Sequence, residues 1–374
     1  MPRTLLAGLD VRSFLCRYWQ KRPLVARRAL PQYENQVTRE ALFGLAARDD
    51  VQSRLVRRAG RRWDVAHGPF SRRALARLPN GGWTLLVQGA DQLLPAAQAL
   101  LREFAFIPYA RLADVMVSYA PPGGGVGPHF DSYDVFLLQL AGARRWRVSR
   151  QRDLALVANA PLKLLRRFRP EREWRLAPGD MLYLPPQIAH DGIAVDECLT
   201  ASIGFRAPTT QQLAARFLEF LQDELALEGI YRDPDLRTQQ RPAQIGSAML
   251  SQVARMLERI EWDRRDVLAF LGQYLTEPKA HVVFERPVRP LPAALFARSV
   301  KQSGVRLALT TQMLFRGRNV FINGERHALG ARAAKLLSRL ADRRHLAPPL
   351  APDAEAAAQL YQWYRAGYIV PGTA

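Results

Sequence analysis

Residues 123–148 read GGGVGPHFDSYDVFLLQLAGARRWRV, a glycine-rich turn followed by two short apolar runs with a second turn between them. Further runs of the same kind flank this stretch, namely ADVMVSY before it and MLYLP and LTASIGF after it. Short β-type runs broken by Gly and Pro are typical of antiparallel sandwiches or barrels. Residues 113–205 are therefore predicted to form an antiparallel β domain.

A set of metal-binding side chains is predicted within this domain. His129, Asp131 and Tyr133 are spaced two apart, so on a strand they would share one face. A non-haem Fe(II) oxygenase needs two histidines and one carboxylate on one face of the metal, with the remaining positions open for a cosubstrate and O₂. The expected third ligand is His190, which follows PGDMLYLPPQIA on a later strand.

An H-x-D pair alone is also compatible with a structural or surface role, so other features carry weight. The glycines of 123–127 allow a tight turn before the ligands, although a plain flexible loop would have the same composition. The turn at 178–180, PGD, before an apolar strand and a histidine repeats the double-stranded β-helix pattern of metal-binding cupins. Arg144 is in phase with the apolar Trp146 and Val148, and an inward-facing arginine needs an anion.

Taken together, these motifs resemble those of the Jumonji-C (JmjC) ribosomal oxygenases, especially the bacterial arginyl hydroxylases that act on a large-subunit ribosomal protein. The resemblance covers residues 10–208 and is carried by the 123–148 stretch and by YWQKRPLV, PGDMLYLPPQIAHDG and ASIGFRAP. It implies that His129, Asp131 and His190 bind Fe(II). It also implies that Arg144 holds 2-oxoglutarate, with O₂ as the other cosubstrate.

The same resemblance implies further contacts in the pocket. It places Asp114, Met116 and Tyr133 at the substrate arginine. Alternation on the last strand turns Thr200 and Ser202 inward, and these two residues are expected at the cosubstrate together with Ser118. Period two places Asp114, Met116 and Ser118 on one face, and a guanidinium favours a carboxylate beside an apolar or aromatic wall. Asp114 as a strand-end turn residue and Met116 as core filling stay open as alternatives.

Three units are predicted along the chain, in an α+β fold. Residues 1–208 form the JmjC/cupin catalytic domain, whose N-terminal hundred residues are expected to be mainly helical, with helices at 39–48 and 93–102 and a strand at 83–88. Residues 209–285 form a helical dimerisation domain, because their apolar faces exceed what a small isolated bundle can bury. Residues 286–374 form a winged-helix-like domain around an Asn323-Gly324 hairpin turn.

Composition and charge narrow the class of protein. The 374 residues are 48% hydrophobic and 24% charged, and no apolar run approaches the ~18 residues of a membrane span. The first residues show no signal peptide, so a cytoplasmic protein is expected. A net charge of +20 favours a polyanionic partner. Arg316, Arg318 and Arg326 are candidate nucleic-acid contacts, although a hairpin that merely exposes solvated charge is the favoured interpretation. However, the 49 arginines against 5 lysines would equally follow from a GC-rich genome.

Three functional hypotheses remain open. The first is an Fe(II)- and 2-oxoglutarate-dependent homodimeric hydroxylase of an arginine in protein sixteen of the 50S ribosomal subunit. The second keeps this chemistry but changes the target, to a histidine of another ribosomal protein or to removal of an N-methyl group. The third is a non-enzymatic cupin regulator that binds nucleic acid through its winged-helix-like end.

Overall fold

The computed structural model describes residues 5–60 and 62–372, so the first four residues, where a signal peptide would begin, lie outside the described part. The N-terminal half carries four short helices, α1 (Val11–Arg17), α2 (Arg39–Ala46), α3 (Arg72–Ala76) and α4 (Pro95–Glu103). Its strands are β1 (Leu24–Ala26), β2 (Ser53–Ala59), β3 (Arg62–His67), β4 (Trp83–Val87), β5 (Leu112–Ala120), β6 (Val135–Ala141), β7 (Arg144–Ser149), β8 (Arg172–Leu176), β9 (Met181–Leu184), β10 (Ala189–Ala194) and β11 (Cys198–Phe205).

These strands form two antiparallel sheets. The larger has eight strands in the order β1-β9-β6-β11-β5-β4-β2-β3, and the smaller has the order β10-β7-β8. Strand β6 begins with a continuous apolar run at 135–138 instead of an alternation of apolar and polar residues. Phe136 and Leu138 belong to the core beneath the N-terminal helices, while Val135 and Leu137 belong to the core with Trp146 between the two sheets. Both of its faces are therefore buried.

The N-terminal hundred residues are less helical than predicted. The expected helices at 39–48 and 93–102 and the expected strand at 83–88 are present, with small shifts of their ends. The prediction missed β2 and β3, which extend the large sheet at its edge. Strand β2 carries three arginines among its seven residues, and β3 buries none of its side chains fully, so neither shows the apolar alternation of a half-buried strand.

A helical layer follows the β domain. It contains α5 (Thr210–Glu224), α6 (Ser247–Leu257) and α7 (Arg264–Thr276). A capping box begins α5, with Thr209 and Gln212 exchanging side-chain-to-backbone hydrogen bonds. Helix α7 packs on the C-terminal module at Gly272, where a Cβ atom would lie 2.2 Å from the Phe321 ring.

The C-terminal module contains the predicted hairpin, followed by two helices. At the hairpin turn Asn323 and Gly324 have positive φ values of 48° and 87°, the left-handed conformation that tight hairpins require. The elements of the module are α8 (Ala293–Ser303), β12 (Val305–Leu307), β13 (Met313–Arg316), β14 (Asn319–Ile322), β15 (Glu325–Ala328), α9 (Ala331–Arg343), β16 (His345–Leu346), α10 (Ala354–Ala366) and β17 (Ile369–Pro371).

Across all the residues that the structure describes, none of the helices combines the length and the apolar character that crossing a bilayer requires.

Candidate metal centre and its pocket

The three predicted metal ligands converge at one point between the two sheets. His129, Asp131 and His190 each offer a ligand atom, and these atoms lie within 4.8 Å of one another. The two imidazole centroids are 4.2 Å apart, and His190 Nε2 is 3.7 Å from Asp131 Oδ2. Two imidazoles and one carboxylate at these separations can hold a divalent metal on one face.

The backbone brings these residues together in a way that differs from the prediction. His190 lies on β10, and His129 pairs with it through an isolated β-bridge with two backbone hydrogen bonds of 2.9 and 2.8 Å. The expected strand over 129–133 is wrong beyond His129, because residues 130–134 form no regular structure. There the Asp131 carbonyl instead accepts a 2.7 Å hydrogen bond from the Gln187 amide, which turns the chain out of the ladder.

Both histidines are oriented by the same local contact. The Nδ1 atoms of His129 and His190 each lie 2.8 Å from the backbone carbonyl two residues earlier, that of Gly127 and Ile188 respectively. Because a carbonyl only accepts, Nδ1 carries the proton and Nε2 keeps a free lone pair for a metal. Burial and the neighbouring His129 lower the pKa of His190 to about 4, so this imidazole is neutral at physiological pH.

Arg144 faces the same cavity, as its alternation on β7 predicts. Its side chain is buried, with 5% of the residue exposed, while the neighbouring Arg145 is exposed. In the described part of the chain its Nε has no hydrogen-bond partner, and its Nη2 donates only to the Cys198 thiol at 3.6 Å. Among the described residues no carboxylate lies within ion-pair distance of it. A buried, unpaired guanidinium is costly unless an anion joins it, so the site suits an anionic cosubstrate.

The three predicted metal ligands and Arg144 line a cavity of about 550 Å³. All the other predicted site residues line it too, namely Asp114, Met116, Ser118, Tyr133, Thr200 and Ser202. Antiparallel pairing explains part of this convergence, because Ser118 lies opposite Thr200 and Met116 lies opposite Ser202 on the neighbouring strands β5 and β11. The Thr200 hydroxyl also donates a 3.0 Å hydrogen bond to Gln139 Oε1, which fixes its orientation.

Comparison with known proteins identifies the family. A family model described as "JmjC domain" matches residues 99–213, and one described as "ROXA-like winged helix" matches residues 259–369. A protein of Escherichia coli (strain K12) named ribosomal protein uL16 3-hydroxylase is 34% identical over 84% of this chain and 84% of its own length. The chain belongs to the JmjC ribosomal oxygenases. Human ribosomal oxygenase 1 is 27% identical over 51% of this chain and 32% of its own length.

Similarity to this family extends over the whole fold. The structure of YcfD, a ribosomal oxygenase from Escherichia coli, in complex with cobalt and 2-oxoglutarate superposes with a TM-score of 0.82 at 30% identity. The superposition covers 97% of this chain and 98% of that one. The predicted α+β fold, with its double-stranded β-helix and winged-helix-like domain, is therefore confirmed.

In this ribosomal oxygenase, Asp114 has two partners that sequence reasoning missed. Its Oδ2 accepts a 2.6 Å hydrogen bond from Gln88 Nε2 and an ion pair at 3.1 Å from Lys279 Nζ. Gln88 follows β4 and Lys279 follows α7, so neither belongs to the stretch that carries the motifs. Burial and the carboxylates of Asp131 and Asp114 raise the pKa of Tyr133, which keeps its phenol protonated as a hydrogen-bond donor.

Gln20, in the early YWQK motif of this oxygenase, belongs to a hydrogen-bond network next to the segment that carries Asp131. Asp134 is fully buried and accepts hydrogen bonds from the Tyr183 hydroxyl at 2.6 Å and from Gln20 Nε2 at 3.0 Å. The backbone amide of Gln20 in turn donates a 2.8 Å hydrogen bond to the Tyr183 hydroxyl oxygen. Since Asp134 lies three residues after Asp131, this network anchors the irregular segment that carries the Asp131 carboxylate.

Proposed function

We propose that this chain is an Fe(II)- and 2-oxoglutarate-dependent dioxygenase that hydroxylates an arginine side chain of ribosomal protein uL16. The observation that carries the proposal is one cavity that holds a two-histidine, one-carboxylate triad, an unpaired buried Arg144 and the carboxylate of Asp114. The name of the E. coli relative supplies the ribosomal protein. The non-enzymatic hypothesis is disfavoured because a regulator needs neither an open metal triad nor a buried cation beside it.

The residues of the chain divide the work as follows. His129, Asp131 and His190 hold Fe(II), which, with O₂ and 2-oxoglutarate, supplies the oxidising power to insert one oxygen atom into a C–H bond. Arg144 pairs with the distal carboxylate of 2-oxoglutarate, and Ser118, Thr200 and Ser202 line the same end of the cavity. Asp114 holds the substrate guanidinium, with Met116 and Tyr133 as its wall, so that one carbon is presented to the metal.

The test of this function is mass spectrometry of the substrate. Purified protein with Fe(II), 2-oxoglutarate and a uL16 fraction is expected to add the mass of one oxygen atom to a single arginine. No added mass with iron and 2-oxoglutarate supplied would contradict the hydroxylase assignment. An oxygen mapped to a histidine, or loss of an N-methyl group, would replace the arginine target with the second hypothesis.

Asp114→Asn is expected to raise the KM for an arginine peptide by at least about thirtyfold, because losing one partner of a desolvated charge pair costs about 2–5 kcal/mol. The chain has a net charge of +20, so long-range attraction does not favour a basic substrate and local carboxylates must supply recognition. Steady-state kinetics measure this KM, and the KM for 2-oxoglutarate is expected to stay unchanged.

Asp223→Asn is the matched control, since Asp223 is exposed on α5, away from the cavity. An Asp114→Asn enzyme with an unchanged KM for the arginine peptide would remove Asp114 from the substrate site.

A homodimer formed through the helical layer is part of the proposal. Helix α6 exposes large apolar side chains, among them Met249 at 47%, Leu250 at 65% and Leu257 at 59%, and a second copy would cover them through a self-complementary face. Sedimentation is expected to give twice the chain mass for the wild type and the single chain mass for Leu250→Arg. A wild-type monomer at micromolar concentration would contradict this interface.

The domain bounds and the cellular location are also part of the proposal. The catalytic domain comprises residues 1–208, the helical dimerisation domain 209–285 and the winged-helix-like domain 286–374, with α7 joining the last two through its contact with Phe321. A cytoplasmic location follows from the proposed ribosomal substrate. Contact of the C-terminal module with nucleic acid stays a prediction.

A further inference from the structure

The ammonium group of Lys279 reaches the proposed substrate site. Lys279 lies in the segment after α7, and its Nζ is 3.1 Å from Asp114 Oδ2 at the cavity wall. The side chain of Asp114 is 8% exposed, whereas that of Lys279 is 47% exposed. The carboxylate is therefore a fixed part of the cavity, and the ammonium enters from its open side.

The backbone that carries Lys279 is held by two other parts of the structure. Arg206 Nη1, just beyond β11, donates a 2.6 Å hydrogen bond to the Leu275 carbonyl. The Gly324 amide, in the β14–β15 turn, donates a 3.0 Å hydrogen bond to Thr276 Oγ1. Within the described residues, the Lys279 side chain makes no polar contact other than the ion pair with Asp114. The segment is thus fixed while the side chain can leave, since a half-exposed ion pair is worth little.

The two oxygens of Asp114 are not equally used. Oδ2 accepts from both Gln88 and Lys279, while within the described residues Oδ1 has no hydrogen-bond partner. A guanidinium binds a carboxylate best through two parallel hydrogen bonds, one to each oxygen. An ammonium is a compact point charge and occupies one oxygen only. An incoming arginine that uses both oxygens must therefore remove Lys279 from Oδ2.

We propose that Lys279 is a displaceable occupant of the substrate-cation site, which keeps the Asp114 carboxylate paired until the substrate arginine replaces it. This inference rests on the proposed function, because it takes Asp114 as the residue that binds the substrate guanidinium. The internal ion pair lowers the apparent affinity for every cation that needs Asp114, in proportion to the fraction of molecules in which it is formed. Lys279 is thus a determinant of substrate affinity.

The test measures binding of arginine amide, by calorimetry, to the full chain loaded with Mn(II) and 2-oxoglutarate. Lys279→Met, which keeps the length of the side chain but removes its charge, is expected to bind arginine amide roughly fivefold more tightly than the wild type. Lys279→Arg is expected to bind it more weakly than the wild type, because an internal guanidinium can occupy both oxygens. Lys163→Met is the matched control, since Lys163 lines the same cavity and does not contact Asp114.

The opposite order would overturn the inference. If Lys279 only positions Asp114, Lys279→Met will bind the probe more weakly and Lys279→Arg will restore wild-type binding. Equal affinities in all variants, or no binding in any of them, would also overturn it. Failure of the oxygenase function is seen separately, as the absence of a charge-transfer absorbance with Fe(II) and 2-oxoglutarate, a readout in which neither Lys279 nor Asp114 takes part.

Discussion

Replacing His129 by alanine is expected to lower hydroxylation by at least about a hundredfold, because even outer partners of metal ligands cost 10- to 100-fold when removed. The variant leaves one imidazole and one carboxylate, too few to hold the metal on one face. Calorimetric titration with Mn(II) measures the loss of binding directly, and the peptide assay measures the loss of turnover. The fold is expected to persist, since His129 lies in an isolated bridge outside the regular strands.

His67→Ala is the matched control, because His67 is an exposed histidine at the end of β3 and does not line the cavity. It is expected to bind metal and turn over like the wild type. Full activity in His129→Ala with a correctly folded protein would contradict the assignment of this residue as a ligand.

Replacing Arg144 by methionine is expected to raise the KM for 2-oxoglutarate by about a hundredfold or more, since removing one partner of a buried ion pair costs about 3–5 kcal/mol. The protein without cosubstrate is expected to be no less stable than the wild type, because the variant removes a buried cation whose Nε is unsatisfied. Thermal unfolding with and without 2-oxoglutarate distinguishes the two effects, as the cosubstrate stabilises only a protein that binds it.

Arg145→Met tests whether any arginine on β7 would have the same effect. Arg145 is the next residue along the strand and faces solvent, so its variant is expected to keep the wild-type KM and the wild-type thermal shift. A 2-oxoglutarate KM in Arg144→Met within a few-fold of the wild type would contradict the proposed ion pair.

The site could be predicted where local periodicity matches the structure. Arg144 lies on a real strand with one buried face, so alternation alone places it in the cavity. His129 and Asp131 come together with His190 as predicted, but not along one strand, because the segment leaves the sheet directly after His129. The two side chains still lie close together, because the bridge to His190 fixes His129 and the irregular segment that follows carries Asp131.

The contacts of Asp114 and the strands β2 and β3 could not be predicted from the sequence. Gln88 and Lys279 reach Asp114 from elements 26 and 165 residues away along the chain, and no local pattern encodes such a contact. Strand β3 at the sheet edge and its neighbour β2 expose most of their arginines, so their sequences resemble solvated loops. These features depend on tertiary packing rather than on periodicity.

The most direct test of the account is anaerobic absorption spectroscopy of the full chain with Fe(II) and 2-oxoglutarate. Chelation of a triad-bound metal by the cosubstrate is expected to produce a charge-transfer band in the wild type that needs both additions and is lost in His129→Ala. A wild-type protein that gives no such band, or a His129→Ala protein that gives the same band, would contradict the claim that this cavity is an iron centre for 2-oxoglutarate.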